Sequence, residues 1–411
     1  MGLNRYYGKN WRPCLQPYSF EFLADRVTKG RIYPALARHE ARPYTAAWRQ
    51  FGNHWPWTTP LRIQEYCQQH QFPLNIYSAN DQMPTLLWYP ICLGFFDFDI
   101  DYLALVPQEV RQRVCDGEVR LLFWYHEGDN PQRIQQRLDQ LCARGGWPVS
   151  SYLFVSANSA ARDLERCVYF ADFEFWYYQR NLGALPQRPH NNHRSRDFTV
   201  LCRVHKPWRA AVMADLDQLG LLANSYWSYC GQDAVSDQDG PISVDLVPQL
   251  RYHRERFLAA APYYCDQLAD DQRNDHSVQV PEHYNNSWCN IVIESQMDVD
   301  QSGGVFLTEK TFKPIKHAQP FFIVGAAGSL AELRRMGYRV FDHVLDNSYD
   351  SETDATRRWC LLRQAIAKAR NQGLDQIYQD CQAHIEHNQQ LFMTCHHSRL
   401  NKLLEDINDR S

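Results

Sequence analysis

Short apolar runs separated by polar loops and by stretches of helical period recur along this chain, and they predict alternating strands and helices. In the first half, Pro73-Leu-Asn-Ile-Tyr77, Leu86-Leu-Trp-Tyr89, Val119-Arg-Leu-Leu-Phe-Trp-Tyr125 and Tyr152-Leu-Phe-Val155 read as buried strands. Between the last two, Asn130 is placed to cap a helix and Pro131 to open it. Ile134, Leu138 and Leu141 follow on one face. Strand, loop, helix and strand in that order is the repeating unit of a parallel sheet.

The chain turns polar between about Arg180 and Asp197, which predicts a domain boundary. A second alternation then begins. Phe198–Cys202 reads as a strand, and a helix from Pro207 to about Leu219 closes at Gly220. The polar stretch from 231 to 285 predicts no element. Strands follow at 289–294 and 320–324, with helices at about 308–317 and 329–336, the latter capped by Ser329 and ended by Gly337. From Thr353 to Asp409 the period is helical. The first 80 residues are aromatic and proline-punctuated, with one short helix expected over Pro60–Gln71. The expectation is an α/β protein of two facing Rossmann-like domains, residues 1–195 with an irregular extension (1–80) and residues 196–411 with a helical tail. A ligand would then bind at the carboxyl ends of the strands.

Composition narrows the class. With 411 residues, 44% hydrophobic and 22% charged, the chain is of globular type and long enough for two domains. A formal net charge of -4 gives no global attraction to nucleic acid or to an anionic membrane. No apolar run approaches the ~20 residues of a membrane span, and the N-terminus has no signal-peptide core. Thirteen scattered cysteines without a Cys-x-x-Cys pair read as reduced, which favours a cytoplasmic location.

The candidate chemistry concentrates in the second half. Ile291-Val-Ile-Glu294-Ser295 is an apolar strand that ends in a carboxylate. A buried carboxylate needs a donor, a cation or a ligand. Glu309 and Lys310 open a helix, and Pro320-Phe-Phe-Ile-Val-Gly325 is a second buried strand running into glycine. A carboxylate able to accept from a ribose diol, an ammonium and a helix N-terminus together suit a nucleoside diphosphate. The plainer reading of Glu309 and Lys310 is two solvated charges at a helix start. Arg203, Lys206 and Arg209 cluster where the strand at 198–202 turns into its helix. Arg209 opposes the dipole of that first turn, which an anion would relieve.

Two further constellations lie in the first half. His126 and Glu127 follow an apolar strand, and either has the chemistry of a general base. Asp97 and Asp99, with Asp101, alternate in an apolar setting. They suit Mg²⁺ or Mn²⁺ on one strand face, or an edge strand with its acids in water. The histidines around Cys395-His396-His397, with His384 and His387, are too irregularly spaced for a metal centre and read as a solvated helix.

Three of these segments resemble the alpha-1,3-fucosyltransferase family. Glu294-Ser295 and Thr308-Glu309-Lys310, followed by an apolar strand and Gly325, resemble its "Phe-Glu-Asn/Ser … Thr-Glu-Lys" pattern. The Tyr125-His126-Glu127-Gly128 segment is similar to its "Phe-Tyr-Thr-Gly-Glu-Asn", and Arg209 stands where the family carries a diphosphate-binding arginine. Gly128 replaces an Asn of that pattern, and Cys202-Arg203-Val204-His205 replaces an Asn-rich turn. The resemblance implies a GT-B fold and inverting, metal-independent transfer of a sugar from a nucleotide diphosphate sugar, GDP-fucose by default, to a glycan or other hydroxyl acceptor. It implies Glu127 or His126 as base, and Arg203, Lys206, Arg209, Glu294, Thr308, Glu309 and Lys310 around the donor, with no cofactor. The alternatives are a metal-dependent glycosyltransferase using Asp97 and Asp99, and a non-catalytic carbohydrate-binding protein of the same fold.

Overall fold

The computed structural model describes residues 20–23, 74–77, 87–93, 96, 98, 101–106, 108–125, 127–180, 193–202, 206–229, 255–265, 279–298 and 302–410. They form a mixed α/β protein with two parallel sheets and many helices. The helix expected over Pro60–Gln71 lies outside the described residues.

The first sheet has six strands: β1 (Phe20–Leu23), β2 (Leu74–Tyr77), β3 (Leu87–Leu93), β4 (Val119–Tyr125), β5 (Tyr152–Ser156) and β6 (Cys167–Tyr169). Their order is β2-β1-β3-β4-β5-β6, and every pairing is parallel. All five residues of β5 and six of the seven in β4 are buried, as expected for strands covered on both faces. Helices α1 (Gln108–Cys115) and α2 (Pro131–Gly145) belong to this unit. The Asn130 side chain accepts from Gln132 N at 3.0 Å and Arg133 N at 3.3 Å, Pro131 opens α2, and Gly146 ends it with φ of 66°. Ile134, Leu138, Leu141 and Cys142 from α2 join Phe123, Tyr125 and Phe154 in one apolar core.

The second sheet has four parallel strands: β7 (Arg196–Cys202), β8 (Tyr226–Tyr229), β9 (Ser287–Ile293) and β10 (Phe321–Val324), in the order β10-β9-β7-β8. Counted within this unit the order is 2-1-3-4, the arrangement of the first four strands of the other sheet. The helices α4 (Pro207–Gln218), α5 (Pro281–Asn285), α6 (Glu309–Lys316) and α7 (Ser329–Arg335) alternate with these strands. Then come α8 (Ala355–Gln372), α9 (Leu374–Asp380), α10 (Gln382–Thr394) and α11 (His396–Asp409). The acidic segment after α7 covers the edge strand β10. Phe341 packs on Phe321 with ring centroids 5.2 Å apart, and Tyr349 Oη accepts from Ile323 N at 3.2 Å, which blunts an open edge.

The chain divides into two compact units, Met1–Asp172 with Gln179–Ala184 and His397–Ser411, and Phe173–Tyr178 with Leu185–His396. The helix α3 (Asp172–Arg180) is therefore shared between them, and α11 returns the chain to the first unit. There Arg120 donates to the Arg410 carbonyl at 3.3 Å, and Arg410 donates to the carbonyls of Leu164, at 2.5 Å, and Cys167. The sequence pattern predicts a single cut near 195 and contains no sign of these crossings. It also misses β1, β6, β8, α1, α3 and, within the polar stretch 231–285, α5. Ser329 is not the cap of α7. Its hydroxyl donates to Ala326 O at 2.6 Å, while the Asp350 carboxylate takes the N–H groups of Leu330 at 2.8 Å and Ala331 at 3.0 Å. That cap is 20 residues away in sequence, beyond the reach of local motif reading.

No helix among the described residues is long and apolar enough to cross a membrane. No disulfide joins the described cysteines.

The core of the second unit holds a histidine that resists protonation. His317, 3% exposed, stacks on Tyr284 with centroids 4.3 Å apart, and its Nε2 lies 2.7 Å from Gln279 Oε1. With that oxygen as acceptor, Nε2 carries the proton and Nδ1 is buried with no hydrogen-bond partner among the described residues. Burial first, then the charges of Lys316 and Lys313, lower its pKa to about 3. An unfolded histidine binds a proton near pH ~6.5. The stability due to neutral His317 is thus complete above that pH and is lost as pH falls towards 3. Between about pH 7 and pH 5 the wild type should lose on the order of 2 kcal/mol relative to His317→Gln. Urea unfolding of both proteins at the two pH values checks this; parallel losses would contradict it.

Candidate functional site

In an open parallel sheet, ligands bind beyond the strand carboxyl ends, where the order reverses direction. In the second unit that point lies between β7 and β9, because the chain passes from β7 to β8 on one side and from β9 to β10 on the other. The residues gathered there are Lys206 and Arg209 after β7, Glu294 and Ser295 after β9, and Thr308 to Thr311 at the start of α6.

Glu294 is the centre of this group. It is 1% exposed, and its carboxylate accepts four hydrogen bonds. Oε1 accepts from Thr308 N at 3.0 Å and Thr311 Oγ1 at 2.6 Å. Oε2 accepts from Ser295 N at 3.0 Å and Thr308 Oγ1 at 2.7 Å. The donors a buried carboxylate requires are thus supplied by the protein itself, largely by the first turn of α6. Thr308 and Thr311 lie three residues apart and share one helix face, so a single carboxylate reaches both. The Thr-x-x-Thr spacing at a helix start was the available signal for Thr311, and sequence reasoning passed over it.

Three cations donate to Glu294 and its neighbours Ser295 and Thr308. Arg209, 3% exposed, donates to the Glu294 carbonyl through Nε at 3.1 Å and Nη2 at 2.5 Å. Lys206 donates to the Ser295 carbonyl at 2.6 Å. Lys310 Nζ donates to Ser295 Oγ at 3.2 Å and Thr308 Oγ1 at 3.0 Å, and lies 3.4 Å from Glu309 Oε1. Glu309 is buried, whereas the Lys310 side chain keeps 24% exposure. Ser295 is therefore the point on which two ammonium groups converge.

Glycine and a buried arginine complete the floor. A Cβ on Gly325 would lie 3.3 Å from Glu294 Cβ, 3.2 Å from Ile323 Cγ2 and 3.3 Å from Ser329 Oγ, so β9 and β10 close on each other here. Arg358, 2% exposed, donates to Gly325 O at 3.0 Å, Glu352 O at 2.7 Å, Thr353 O at 3.0 Å and Met297 O. One guanidinium fork thereby ties together the segments after β9 and β10 and the approach to α8. Burial lowers its pKa, with nearby carboxylates acting the other way.

In the first unit, Glu127 follows β4 and is partly buried. The Tyr125 hydroxyl donates to Asp129 Oδ2, and Asn158 Nδ2 donates to Gly128 O at 2.9 Å. Burial, then the charges of Asp129 and Glu127, hold the Tyr125 phenol well above its ordinary pKa, so it stays a donor at neutral pH.

Arg203, His126, Asp97 and Asp99 lie outside the described residues. Asp101, next to them, is exposed and accepts from Leu103 N and Ala104 N, both at 3.1 Å. No group of three or more His, Cys, Asp or Glu among the described residues is arranged to hold a metal ion. The histidines of the tail are tied to carbonyls: His384 to Val340 at 2.9 Å, His387 to Gly337 at 3.0 Å and His396 to Phe392 at 2.6 Å.

No protein-family model matches the chain, and comparison with curated proteins finds no match.

The geometry makes Glu294 a structural centre as well as a candidate ligand group, and one substitution tests the first role. Glu294→Gln leaves one acceptor oxygen and sets an NH₂ group against N–H and O–H donors. It should lower stability by roughly 2–4 kcal/mol, since bonds to a buried charge are worth about 1.5–3 kcal/mol each and no longer all form. The urea midpoint reads this; an unchanged midpoint would mean that the four bonds do not stabilise the fold.

Proposed function

We propose that the chain is a glycosyltransferase that moves a sugar, fucose-like by default, from a nucleotide diphosphate sugar to a hydroxyl of a glycan or other acceptor, with inversion and without a metal. The observation that carries this reading is the convergence of Lys206, Arg209 and Lys310 at the reversal point of the second sheet. Lys206 donates to the neutral Ser295 carbonyl, and Lys310 donates to the neutral hydroxyls of Ser295 and Thr308 and pairs with the Glu309 carboxylate at 3.4 Å. A diphosphate oxygen is a stronger acceptor than those neutral groups, so an arriving donor would draw both ammonium groups towards it. Arg209, buried against the Glu294 carbonyl, would hold the loop and add its charge. The GT-B pairing of two Rossmann-like domains and a cytoplasmic location are parts of the same proposal.

The chemistry follows from charge. As the acceptor oxygen forms its bond to the anomeric carbon, its proton passes to Glu127 or His126. The bond from that carbon to the diphosphate breaks, and the electron pair leaves with the phosphate. The charge that builds on the leaving diphosphate is met by the lysines and Arg209. The default nucleotide is GDP.

Thermal unfolding in the presence of nucleoside diphosphates and their sugars, with EDTA or Mn²⁺, tests the proposal on wild type and Lys310→Ala. A ligand that binds only the native state stabilises it by about 2.7 kcal/mol at a hundred times its Kd. Stabilisation by one nucleotide that survives EDTA and is lost in Lys310→Ala is the expected result. A requirement for Mn²⁺ would favour the metal-dependent reading on Asp97 and Asp99. No response to any nucleotide would overturn the donor site and leave a non-catalytic carbohydrate-binding protein as the reading to pursue.

A further inference from the structure

Asn158 lies at the carboxyl end of β5 and is 0% exposed. A fully buried amide must satisfy its own polar atoms, and this one does so in two directions. Its Oδ1 accepts from Ala160 N at 3.0 Å and caps the short helical turn Ser159–Asp163. Its Nδ2 reaches 30 residues back along the chain and donates to the Gly128 carbonyl at 2.9 Å. The backbone N–H of Asn158 is taken by Ser156 Oγ at 3.2 Å. These bonds fix the amide's orientation, because a flipped group would set NH₂ against N–H and oxygen against oxygen.

The local turn needs only the oxygen. A serine or an aspartate would cap it as well. What asparagine adds is the donor, and the donor is aimed at the loop that carries Glu127. Gly128 is buried, and two residues before Glu127 the Tyr125 hydroxyl donates to Asp129. The loop that carries Glu127 is thus tied twice: by a bond that closes the loop on itself, and by a bond from the neighbouring strand's end.

We propose that Asn158 is a positioning residue, whose Nδ2–Gly128 bond sets the loop so that the Glu127 carboxylate meets the acceptor hydroxyl. This rests on the reading of Glu127 as the base. Nothing in the sequence around Asn158 carries a motif for it; the bond exists only because β4 and β5 are neighbours in the sheet.

Two variants separate clamp from cap. Asn158→Ser keeps a capping oxygen and loses the donor. Asn158→Asp keeps the cap but sets a carboxylate oxygen against the Gly128 carbonyl. Both should speed hydrogen exchange at Glu127–Asp129 while the rest of the chain keeps the wild-type pattern. Both should lower kcat for sugar transfer about tenfold to a hundredfold, as expected for a misplaced reacting group, with the donor KM within about twofold. In Asn158→Asp the added negative charge should also raise the Glu127 pKa, moving the acid limb of the pH–rate profile to higher pH, a change that Asn158→Ser should not show.

Glu127→Gln is the reference. If it abolishes transfer while both Asn158 variants keep the wild-type rate and pH profile, the positioning role is overturned and the transferase reading stands. If wild type transfers no sugar from any donor tried, the transferase reading fails, and the role of Asn158 in it fails too. Unchanged exchange at Glu127–Asp129 in both variants overturns the clamp whatever the activity.

Discussion

The second unit depends on one buried carboxylate. Glu294 ends β9, and its four hydrogen bonds bring the first turn of α6 onto the end of that strand. Its carbonyl, in turn, receives the buried Arg209 from α4. One residue therefore joins the helix before β8 to the helix before β10 across the reversal of strand order. The arrangement is stable because every lone pair of the carboxylate has a donor and the nearby cations lower the cost of burying its charge. Remove the carboxylate and two threonine hydroxyls, two backbone N–H groups and a helix start lose their partner at once.

That same constraint sets the surroundings of Ser295. The bonds to Glu294 fix Ser295, and Ser295 gathers Lys206 and Lys310. Lys206 donates to the neutral Ser295 carbonyl, and Lys310 donates to two neutral hydroxyls while lying 3.4 Å from the Glu309 carboxylate. Arg358 and Gly325 support this from below: the arginine by pinning four carbonyls, the glycine by letting β10 end within van der Waals reach of Glu294.

The first unit is organised by strand ends too, but with a different emphasis. At the ends of β4 and β5 stand acids and hydrogen-bonding neutral groups rather than cations: Glu127, Asp129, the Tyr125 hydroxyl and the Asn158 amide.

Much of this was legible along the chain. The strands β4, β5, β7, β9 and β10 are nearly continuous apolar runs, and the helices α2, α4 and α6 carry their start signals in a few residues: Asn130-Pro131, Pro207 and Thr308. Such elements are local, since burial on both faces and capping are written in neighbouring residues. The short strands β6 and β8 and the aromatic helix α3 were not legible, because three or four residues, or a short helix buried almost throughout, carry no clear period. By itself, then, the sequence determined the α/β class, the main parallel strands and the polar residues that stand at their ends. Only the tertiary structure decided the strand order, the passage of α3 and α11 between units, and the partners of Glu294, Arg358 and Asn158. The non-local ones among these partners lie from 14 to 85 residues away. The physical reason is that a hydrogen bond depends on distance in space, and only the order of strands in a sheet brings such residues within three ångströms of one another.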